Sequence, residues 1–284
     1  MTGRATGRML PDGRRLHLHH GPIDLIIDAE GDKRRVALER ARTRFETILQ
    51  ELVDELPLLR APVGARQKPQ GHVARAMWEA AWLHRTRFVT PMAAVAGAVA
   101  DEVLRVMVAE TGLRKVYVNN GGDIAFHLAP GAELVAAVAG GAVETLRVGS
   151  EIPARGIATS GWRGRSHSLG IADAVTVLAR NAAEADVAAT LIANAVDLPG
   201  HPAITRQPAS DLSPESDLGT RLVTRAVGKL TPDETTQALG RGLSAAKDMQ
   251  ARGLVEAAAL MLNGDYRVVG QMHLQAPKKE TNLA

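Results

Sequence analysis

The chain has 284 residues, 45% of them hydrophobic, which is enough apolar material to bury a sizeable core in one large or two small domains. It contains no cysteine, so disulfide bonds, thiolate metal sites and a cysteine nucleophile are excluded. The net charge is +3, and only 3% of the residues are aromatic. Arginines without interleaved aromatic residues are typical of a solvated surface, so nucleic acid is not favoured as a partner.

The amino-terminal segment is charged and has no apolar stretch of signal-peptide type. Residues 1–15 are predicted to be flexible, and no later run approaches the length of a membrane span. We therefore expect a cytoplasmic protein with no membrane partner.

Two short strands are predicted next, at residues 16–20 and 23–28, on either side of a Gly-Pro pair. Three histidines of the first strand are possible metal ligands, but their alternation on an edge strand without a nearby carboxylate or cysteine favours surface positions. These residues are His17, His19 and His20.

Helices are predicted at about residues 33–56, 72–84 and 91–100. The first has apolar residues near a 3.6-residue period. The third begins with Pro91, which suits a first helical turn, and consists almost wholly of small residues. Such a surface lets another backbone, or a flat ligand, approach closely.

Short strands with glycine between them follow, and they predict a mostly antiparallel sheet. These six strands are residues 116–119, 124–128, 134–138, 145–148, 156–160 and 174–178. A helix over 181–196, with Asn181 as its cap, leads to a Pro- and Asp-rich connection. Further helices are predicted at 218–229, 232–250 and 254–262, with a last strand at 266–272 that joins the sheet. The pattern predicts one α+β domain over residues 1–284, a mostly antiparallel sheet flanked by helices, with no internal repeat.

Two of the predicted strand ends carry small, polar residues that expose the backbone. Such a composition is typical of a backbone that closes on a polyanionic ligand, so a nucleotide-type ligand is predicted. Taken singly, each segment fits an ordinary polar turn equally well, and it is the combination that favours a binding site. The candidate binding residues are Asn119, Asn120, Gly121, Gly122 and Asp123 in the first segment, and Thr159, Ser160 and Gly161 in the second.

A candidate metal site lies in the helix that follows. Asp186 and Thr190 are four residues apart, so their side chains share one helix face and can offer two oxygens to Mg²⁺, with water and substrate phosphates as the other ligands. The alternative is that Asp186 stabilises the first turn and Thr190 bonds a nearby carbonyl. His167 is a candidate proton donor to a leaving phosphate, although a loop histidine is more often a surface residue.

The order of these motifs resembles that of the FAD:protein FMN transferases, the ApbE-type flavin transferases, over about residues 88–196. The matching elements are a small-residue helix that ends in Asp101, the Asn-Gly-Gly-Asp turn, the Thr-Ser-Gly strand with His167, and the Ala-Asp-x-x-x-Thr helix start. Proteins of this family bind FAD and Mg²⁺ and move FMN onto a protein threonine, and some hydrolyse FAD. The resemblance implies an ApbE-like architecture, FAD or FMN and Mg²⁺ as cofactors, and an acceptor protein as a partner.

The chain also departs from the family pattern. Ala96 stands where family members usually carry Lys, so a cation that neutralises phosphate charge is missing. Arg155, Arg163 or Arg165, near the Thr-Ser-Gly turn, are candidates to compensate. The Pro-x-Thr-Gly stretch after the histidine is absent as well, so the chain resembles a shortened branch of the superfamily.

The sequence therefore predicts a flavin-nucleotide-binding protein, with Mg²⁺-dependent transfer of FMN from FAD or hydrolysis of the FAD pyrophosphate as its reaction. Asp101 or Asp123 is predicted to activate the nucleophile, and the sequence alone does not rank them. The alternatives are a non-catalytic module that binds a flavin or another small molecule, and an enzyme that uses the same pocket for a different anionic metabolite. The oligomeric state stays open.

Overall fold

The computed structural model describes residues 4–64, 67–109, 112–138 and 145–275. Its strands are β1 (Thr6–Met9), β2 (Leu16–His20), β3 (Ile23–Gly31), β4 (Leu113–Asn120), β5 (Asp123–Leu128), β6 (Glu133–Ala137), β7 (Thr145–Gly149), β8 (Gly156–Ser160), β9 (Ala174–Ala179), β10 (Ile204–Pro208), β11 (Leu222–Val227), β12 (Ala257–Leu262), β13 (Asp265–Val269) and β14 (His273–Gln275). The α-helices are α1 (Arg34–Asp54), α2 (Leu56–Leu59), α3 (His72–Trp82), α4 (Val95–Met107), α5 (Ala182–Ala195), α6 (Ala209–Leu212) and α7 (Pro232–Ala251), and a 3-10 turn (Pro91–Ala94) runs directly into α4.

A nine-stranded sheet forms the centre of the molecule, in the order β1-β2-β3-β4-β5-β8-β9-β12-β13. All of its neighbouring strands pair antiparallel. Two small antiparallel sheets accompany it, β10-β11 and β14-β7-β6. The predicted α+β class with a mostly antiparallel sheet is confirmed.

The two faces of the central sheet pack against different partners. Along β5, Ala125 belongs to the large core beneath the helices, whereas its neighbours Ile124 and Phe126 belong to a second core against β6 and β7. This alternation is the expected period of a strand that is covered on both faces. The result is three layers: helices, central sheet and small sheet.

Helices α4 and α5 lie closely together on the helical side, and sequence features position both. The Asn181 side chain accepts a hydrogen bond of 2.8 Å from the Glu184 backbone N–H and so caps α5, as predicted. In α4, a Cβ at Gly97 would lie 2.7 Å from the Ala183 backbone nitrogen, so only glycine leaves room for α5 at this point.

Two predicted helices are wrong. Leu222–Val227 is strand β11, paired with β10, and Ala257–Leu262 is strand β12, between β9 and β13. Ala, Leu and Met favour helices in isolation, but β12 gains a hydrogen-bonded neighbour on each side and buries five of its six residues. The predicted last strand, residues 266–272, corresponds to β13, which joins the central sheet as expected; β14 follows it, joins the small sheet and was not predicted.

The amino-terminal predictions also need correction. Residues 1–15 were expected to be flexible, but Thr6–Met9 pairs with β2 as strand β1; residues 1–3 lie outside the described residues. Since β1 covers it, β2 is not an edge strand. His20 is buried, and His17 Nε2 lies 3.2 Å from the Asp24 carboxylate, so a carboxylate is nearby and only His19 is exposed.

No helix within the described ranges is long and apolar enough to span a membrane.

Candidate functional site

A cavity of about 750 Å³ opens at one end of the central sheet. It lies where β4 turns into β5, where β8 ends and β9 begins, and where the first turns of α4 and the middle of α5 come up from the helical layer. A volume between about 300 and 1,000 Å³ is typical of small-molecule sites. Seven of the eight predicted binding residues and both predicted metal ligands line the cavity: Asn120, Gly121, Gly122, Asp123, Thr159, Ser160, Gly161, Asp186 and Thr190.

The β4–β5 turn forms one wall. Gly121 and Gly122 have φ angles of +66° and +117°, a region of backbone conformation that favours glycine. Asn119 does not line the cavity; its side chain accepts a 2.8 Å hydrogen bond from the Gly122 backbone N–H and so fixes the turn. The buried Asn120 side chain donates to the Ala96 carbonyl at 3.1 Å and ties the turn to the start of α4.

Two carboxylates from different elements face the same space. Asp123, at the start of β5, accepts a 3.2 Å hydrogen bond from the Thr159 backbone N–H, and burial raises its pKa to about 7. Asp186, in α5, accepts a 3.1 Å hydrogen bond from the Gly97 backbone N–H. Burial, and after it the negative charge of Asp123, raise the pKa of Asp186 well above its usual value. The fold therefore holds together two negative charges that repel each other.

Thr190 lies one helical turn beyond Asp186, and both line the cavity. A carboxylate and a hydroxyl are hard oxygen donors that suit Mg²⁺, provided that water and substrate phosphates complete the coordination. Within the described residues, no group of three or more His, Cys, Asp or Glu side chains forms a self-sufficient metal cage. The donors present fit a magnesium ion that is shared with a phosphate ligand, and they do not fit a closed structural site.

The Thr-Ser-Gly segment and the loop after it form the adjoining wall. The Thr159 and Thr176 hydroxyls lie 2.9 Å apart and bond to each other across β8 and β9. Beyond Gly161, Arg163 and Arg165 both reach the rim of the cavity. Arg155 does not, because its guanidinium donates to backbone carbonyls, among them that of Ala154 at 2.6 Å.

The two predicted catalytic residues do not line the cavity. Asp101 lies beneath the amino terminus of α5, where its carboxylate accepts hydrogen bonds from the backbone N–H groups of Ala182, at 3.0 Å, and Ala183, at 2.8 Å. Burial raises its pKa to about 6, against the effect of these two bonds. This placement is that of a helix cap. His167 is half-buried in the loop before β9, and its neighbour Ser166 reaches the cavity instead.

Several lining residues were not found from the sequence. Asp173 precedes β9 and accepts hydrogen bonds from Arg163 Nε, at 2.7 Å, and from the backbone N–H of Asn263, at 2.7 Å. Met261 and Gly264, near the β12–β13 turn, complete the wall. An aspartate directly before an apolar strand was a visible signal for Asp173, whereas the β12–β13 residues were hidden by the mistaken helix at 254–262.

Comparisons with known proteins support the resemblance. A family model described as AbpE bacteria matches residues 7–268. UPF0280 proteins of Methanothrix thermoacetophila and Methanopyrus kandleri are 43% identical over 114 residues and 41% identical over 108 residues. These matches cover 38% and 37% of this chain and 46% and 43% of the relatives, so the chain spans less than half the length of the curated relatives it matches.

A solved structure, the apo form of the flavinyl transferase ApbE of Pseudomonas stutzeri, matches 95% of this chain and 94% of its own, with 12% sequence identity and a TM-score of 0.46. The family model covers nearly the whole sequence. The chain therefore belongs to the AbpE bacteria family, and its identification as a member of the ApbE-like superfamily is confirmed.

Proposed function

We propose that the protein binds FAD together with Mg²⁺ in the cavity and cleaves the FAD pyrophosphate. An oxygen nucleophile attacks the phosphorus of the FMN half, the bond to the bridging oxygen breaks, and AMP leaves. With a protein hydroxyl as the nucleophile the product is a flavinylated acceptor protein; with water it is free FMN. The acceptor and a cytoplasmic location are parts of this proposal.

The observation that carries the proposal is the meeting of Asp123 and Asp186 at the cavity wall. Two partly buried carboxylates that repel each other are costly, and a divalent cation removes that cost. Asp186 and Thr190 offer oxygens to the cation on one helix face, and Asp123 adds negative charge beside it. When bound, Mg²⁺ would stabilise the charge that develops on the pyrophosphate.

The remaining walls fit a nucleotide. The Gly121-Gly122 turn lets a ligand approach the backbone closely, and the polar segment Thr159, Ser160 and Gly161 lies beside it. Since few aromatic residues are present in the chain, recognition of the flavin and adenine rings would depend on hydrogen bonds and apolar contacts such as Met261.

Of the two carboxylates predicted to activate the nucleophile, only Asp123 lines the cavity. Asp101 is occupied as the cap of α5. We therefore assign the acceptance of the nucleophile's proton to Asp123, which requires a substrate pose within hydrogen-bond reach of its carboxylate.

The test is a chromatographic assay of FAD with the purified protein, with and without Mg²⁺. Formation of AMP, together with FMN or a flavinylated protein, only in the presence of Mg²⁺ supports the proposal. Asp123→Asn should abolish turnover but retain FAD binding. Asp101→Asn is the matched control, and the part of it that folds should retain turnover. FAD that is bound and stays intact would instead indicate a binding module, and absence of binding would indicate a different anionic metabolite.

A further inference from the structure

The cavity wall carries more acidic than basic side chains. Asp123, Asp173 and Asp186 line it, and among the described lining residues Arg163 and Arg165 are the cationic ones. A phosphate-bearing ligand would be repelled by such a wall unless cations lie between the charges. A magnesium ion bound by Asp186 and Thr190 would neutralise part of this charge, and a cationic side chain at the rim would neutralise more.

Arg163 is already engaged. Its Nε donates to Asp173 Oδ1 at 2.7 Å, and its guanidinium carbon lies 4.6 Å from the centre of the Trp162 ring. Asp173 in turn is held by the Asn263 backbone N–H. Moving Arg163 onto a ligand would break an ion pair and a cation–π contact, so this residue acts as part of the wall.

Arg165 is differently placed. It is exposed at the rim and makes no hydrogen bond or ion pair with any other residue in the described part of the chain. Its guanidinium lies directly against Gly121, at the tip of the β4–β5 turn, where a Cβ would overlap Nη2. Its positive charge also acts on Asp123 and opposes the rise of that residue's pKa.

Because Gly121 has no side chain, the Arg165 guanidinium has room at the mouth of the cavity. None of its five N–H donors forms a hydrogen bond with a described residue. A planar guanidinium binds phosphate oxygens in pairs, which a lysine does not do. Because Ala96 offers no charge on the helical side, Arg165 is, among the described residues that line the cavity, the cation that is free to bind an anion.

We propose that Arg165 binds a phosphate group of the ligand at the mouth of the cavity and so determines the preference of the pocket for diphosphate-containing compounds. The inference rests on the proposed function insofar as the ligand is a nucleotide. Beyond the proposed function, we infer that Arg165, which lies against Gly121, makes the pocket prefer ligands with a phosphate group.

The experiment measures dissociation constants by calorimetry with FAD, riboflavin and inorganic pyrophosphate, each with Mg²⁺. Arg165→Ala should weaken binding of FAD and pyrophosphate by roughly 10- to 100-fold, since a hydrogen bond to a charged group contributes about 1.5–3 kcal/mol. Riboflavin, which has no phosphate, should bind the variant and the wild-type protein alike. Arg165→Lys should fall between the two.

Two further variants make the test specific. Arg163→Ala is the comparison for removal of a rim arginine; its guanidinium is bonded to Asp173, so its loss should weaken pyrophosphate binding clearly less than Arg165→Ala does. Gly121→Ala should displace the guanidinium and reproduce much of the Arg165→Ala loss, with circular dichroism to confirm that each variant is folded. Equal pyrophosphate and FAD affinities for Arg165→Ala and wild type, or an equal loss in Arg163→Ala, would overturn the inference.

The outcomes also separate this inference from the proposed function. If the wild-type protein binds pyrophosphate through Arg165 but does not bind FAD, the role of Arg165 is supported and the flavin assignment fails. If FAD binds and is cleaved with equal efficiency in Arg165→Ala, the flavin assignment is supported and the role of Arg165 is overturned.

Discussion

At the scale of single residues, the site depends on side chains whose charges are kept close together by the fold. Asp186 and Asp123 lie on different elements; the Gly97 backbone N–H donates to Asp186, and the Thr159 backbone N–H donates to Asp123. These bonds fix the carboxylates but do not neutralise them. The same residues should therefore control both cation binding and the pH dependence of stability.

The first prediction concerns the cation. Asp186→Ala should abolish the thermal stabilisation produced by Mg²⁺ with nucleotide, because the charged ligand of the Asp186–Thr190 pair is lost. Thr190→Val should reduce it only in part, since a neutral hydroxyl contributes less. A saturating ligand pair stabilises by about 3 kcal/mol at 100 times its dissociation constant, which is roughly 5–10 °C in Tm for a chain of this size. Scanning fluorimetry measures the shift, and equal shifts in wild type and Asp186→Ala would show that Asp186 serves only the helix start.

The second prediction concerns pH in the absence of metal. The pKa of Asp123 is raised from 3.8 to about 7, so the folded state binds the proton more tightly than the unfolded state does. Below about pH 4 both states are protonated. Between about pH 4 and pH 7 the unfolded state loses its proton while the folded state keeps it, so stability falls across this range. It levels off above pH 7, where the folded state also carries the buried charge. Asp123→Asn removes that charge.

We therefore expect Asp123→Asn to be more stable than the wild type at pH 8, by on the order of 1–3 kcal/mol, with the difference vanishing near pH 4. The full value of the pKa change is not expected, because the side chain is partly exposed to solvent. Urea denaturation at several pH values gives the comparison. A difference that is constant with pH would mean that Asp123 acts through its hydrogen bond to Thr159 and not through its charge.

At the scale of elements, the contact between α4 and α5 positions the helix face that carries Asp186 and Thr190. Gly97 brings α4 against the first turn of α5, its N–H bonds Asp186, and Asp101 caps the same turn from below. The small residues of α4 were predicted to allow such an approach of another backbone, and α5 is the element that makes it. A substitution at this contact should therefore disturb the site although the substituted residue does not itself bind the metal or the nucleotide.

The third prediction follows from this contact. Gly97→Ala should destabilise the protein by about 1–3 kcal/mol and weaken Mg²⁺-dependent FAD binding, because a Cβ would force α5 away. Gly240→Ala is the matched control: it lies in the exposed face of α7 with nothing near its added Cβ, and it should stabilise by about 0.5–1 kcal/mol. Unfolding curves for both variants check the two signs. A stabilised Gly97→Ala would contradict the close contact.

The fourth prediction concerns Asp101. Asp101→Ala leaves the Ala182 and Ala183 backbone N–H groups without their acceptor and should cost about 1–3 kcal/mol of stability. Asp101→Asn, which keeps one acceptor oxygen, should cost less. Both variants should still cleave FAD when folded, in contrast to Asp123→Asn. Loss of turnover in stable Asp101→Asn at unchanged FAD affinity would restore Asp101 as a catalytic residue.

At the scale of the whole molecule, the sequence predicts the central part of the fold well. The strands from β4 to β9 and the capped helix α5 lie where the apolar alternation, the glycines and Asn181 indicate them. These strands have the same order in the chain and in the central sheet, apart from β6 and β7, which belong to the small sheet. Local sequence patterns were therefore enough to predict them. The Asn-Gly-Gly-Asp turn and the four-residue spacing of Asp186 and Thr190 are local patterns as well, so the sequence indicated where they lie.

The carboxyl-terminal third was less predictable because its structure depends on partners distant in sequence. The Ala-rich β12 is a strand because β9 and β13 flank it, which no local pattern indicates. The contributions of Met261 and Gly264 to the cavity depend on that pairing and were missed with it. Similarly, the sequence does not distinguish the three arginines near the Thr-Ser-Gly turn. The structure shows that Arg155 and Arg163 are hydrogen-bonded, whereas Arg165 reaches the cavity without such a bond to a described residue.

If the cavity binds FAD through a magnesium ion held by Asp186, both the metal and this carboxylate control the affinity for FAD. Isothermal titration of FAD into the purified protein, with Mg²⁺ and with EDTA, measures both effects in wild type and Asp186→Ala. Wild type should bind FAD in Mg²⁺ at least tenfold more tightly than in EDTA, and Asp186→Ala should show no dependence on the metal. Absence of FAD binding by the wild-type protein, or the same Mg²⁺ dependence in both proteins, would rule out this mode of binding.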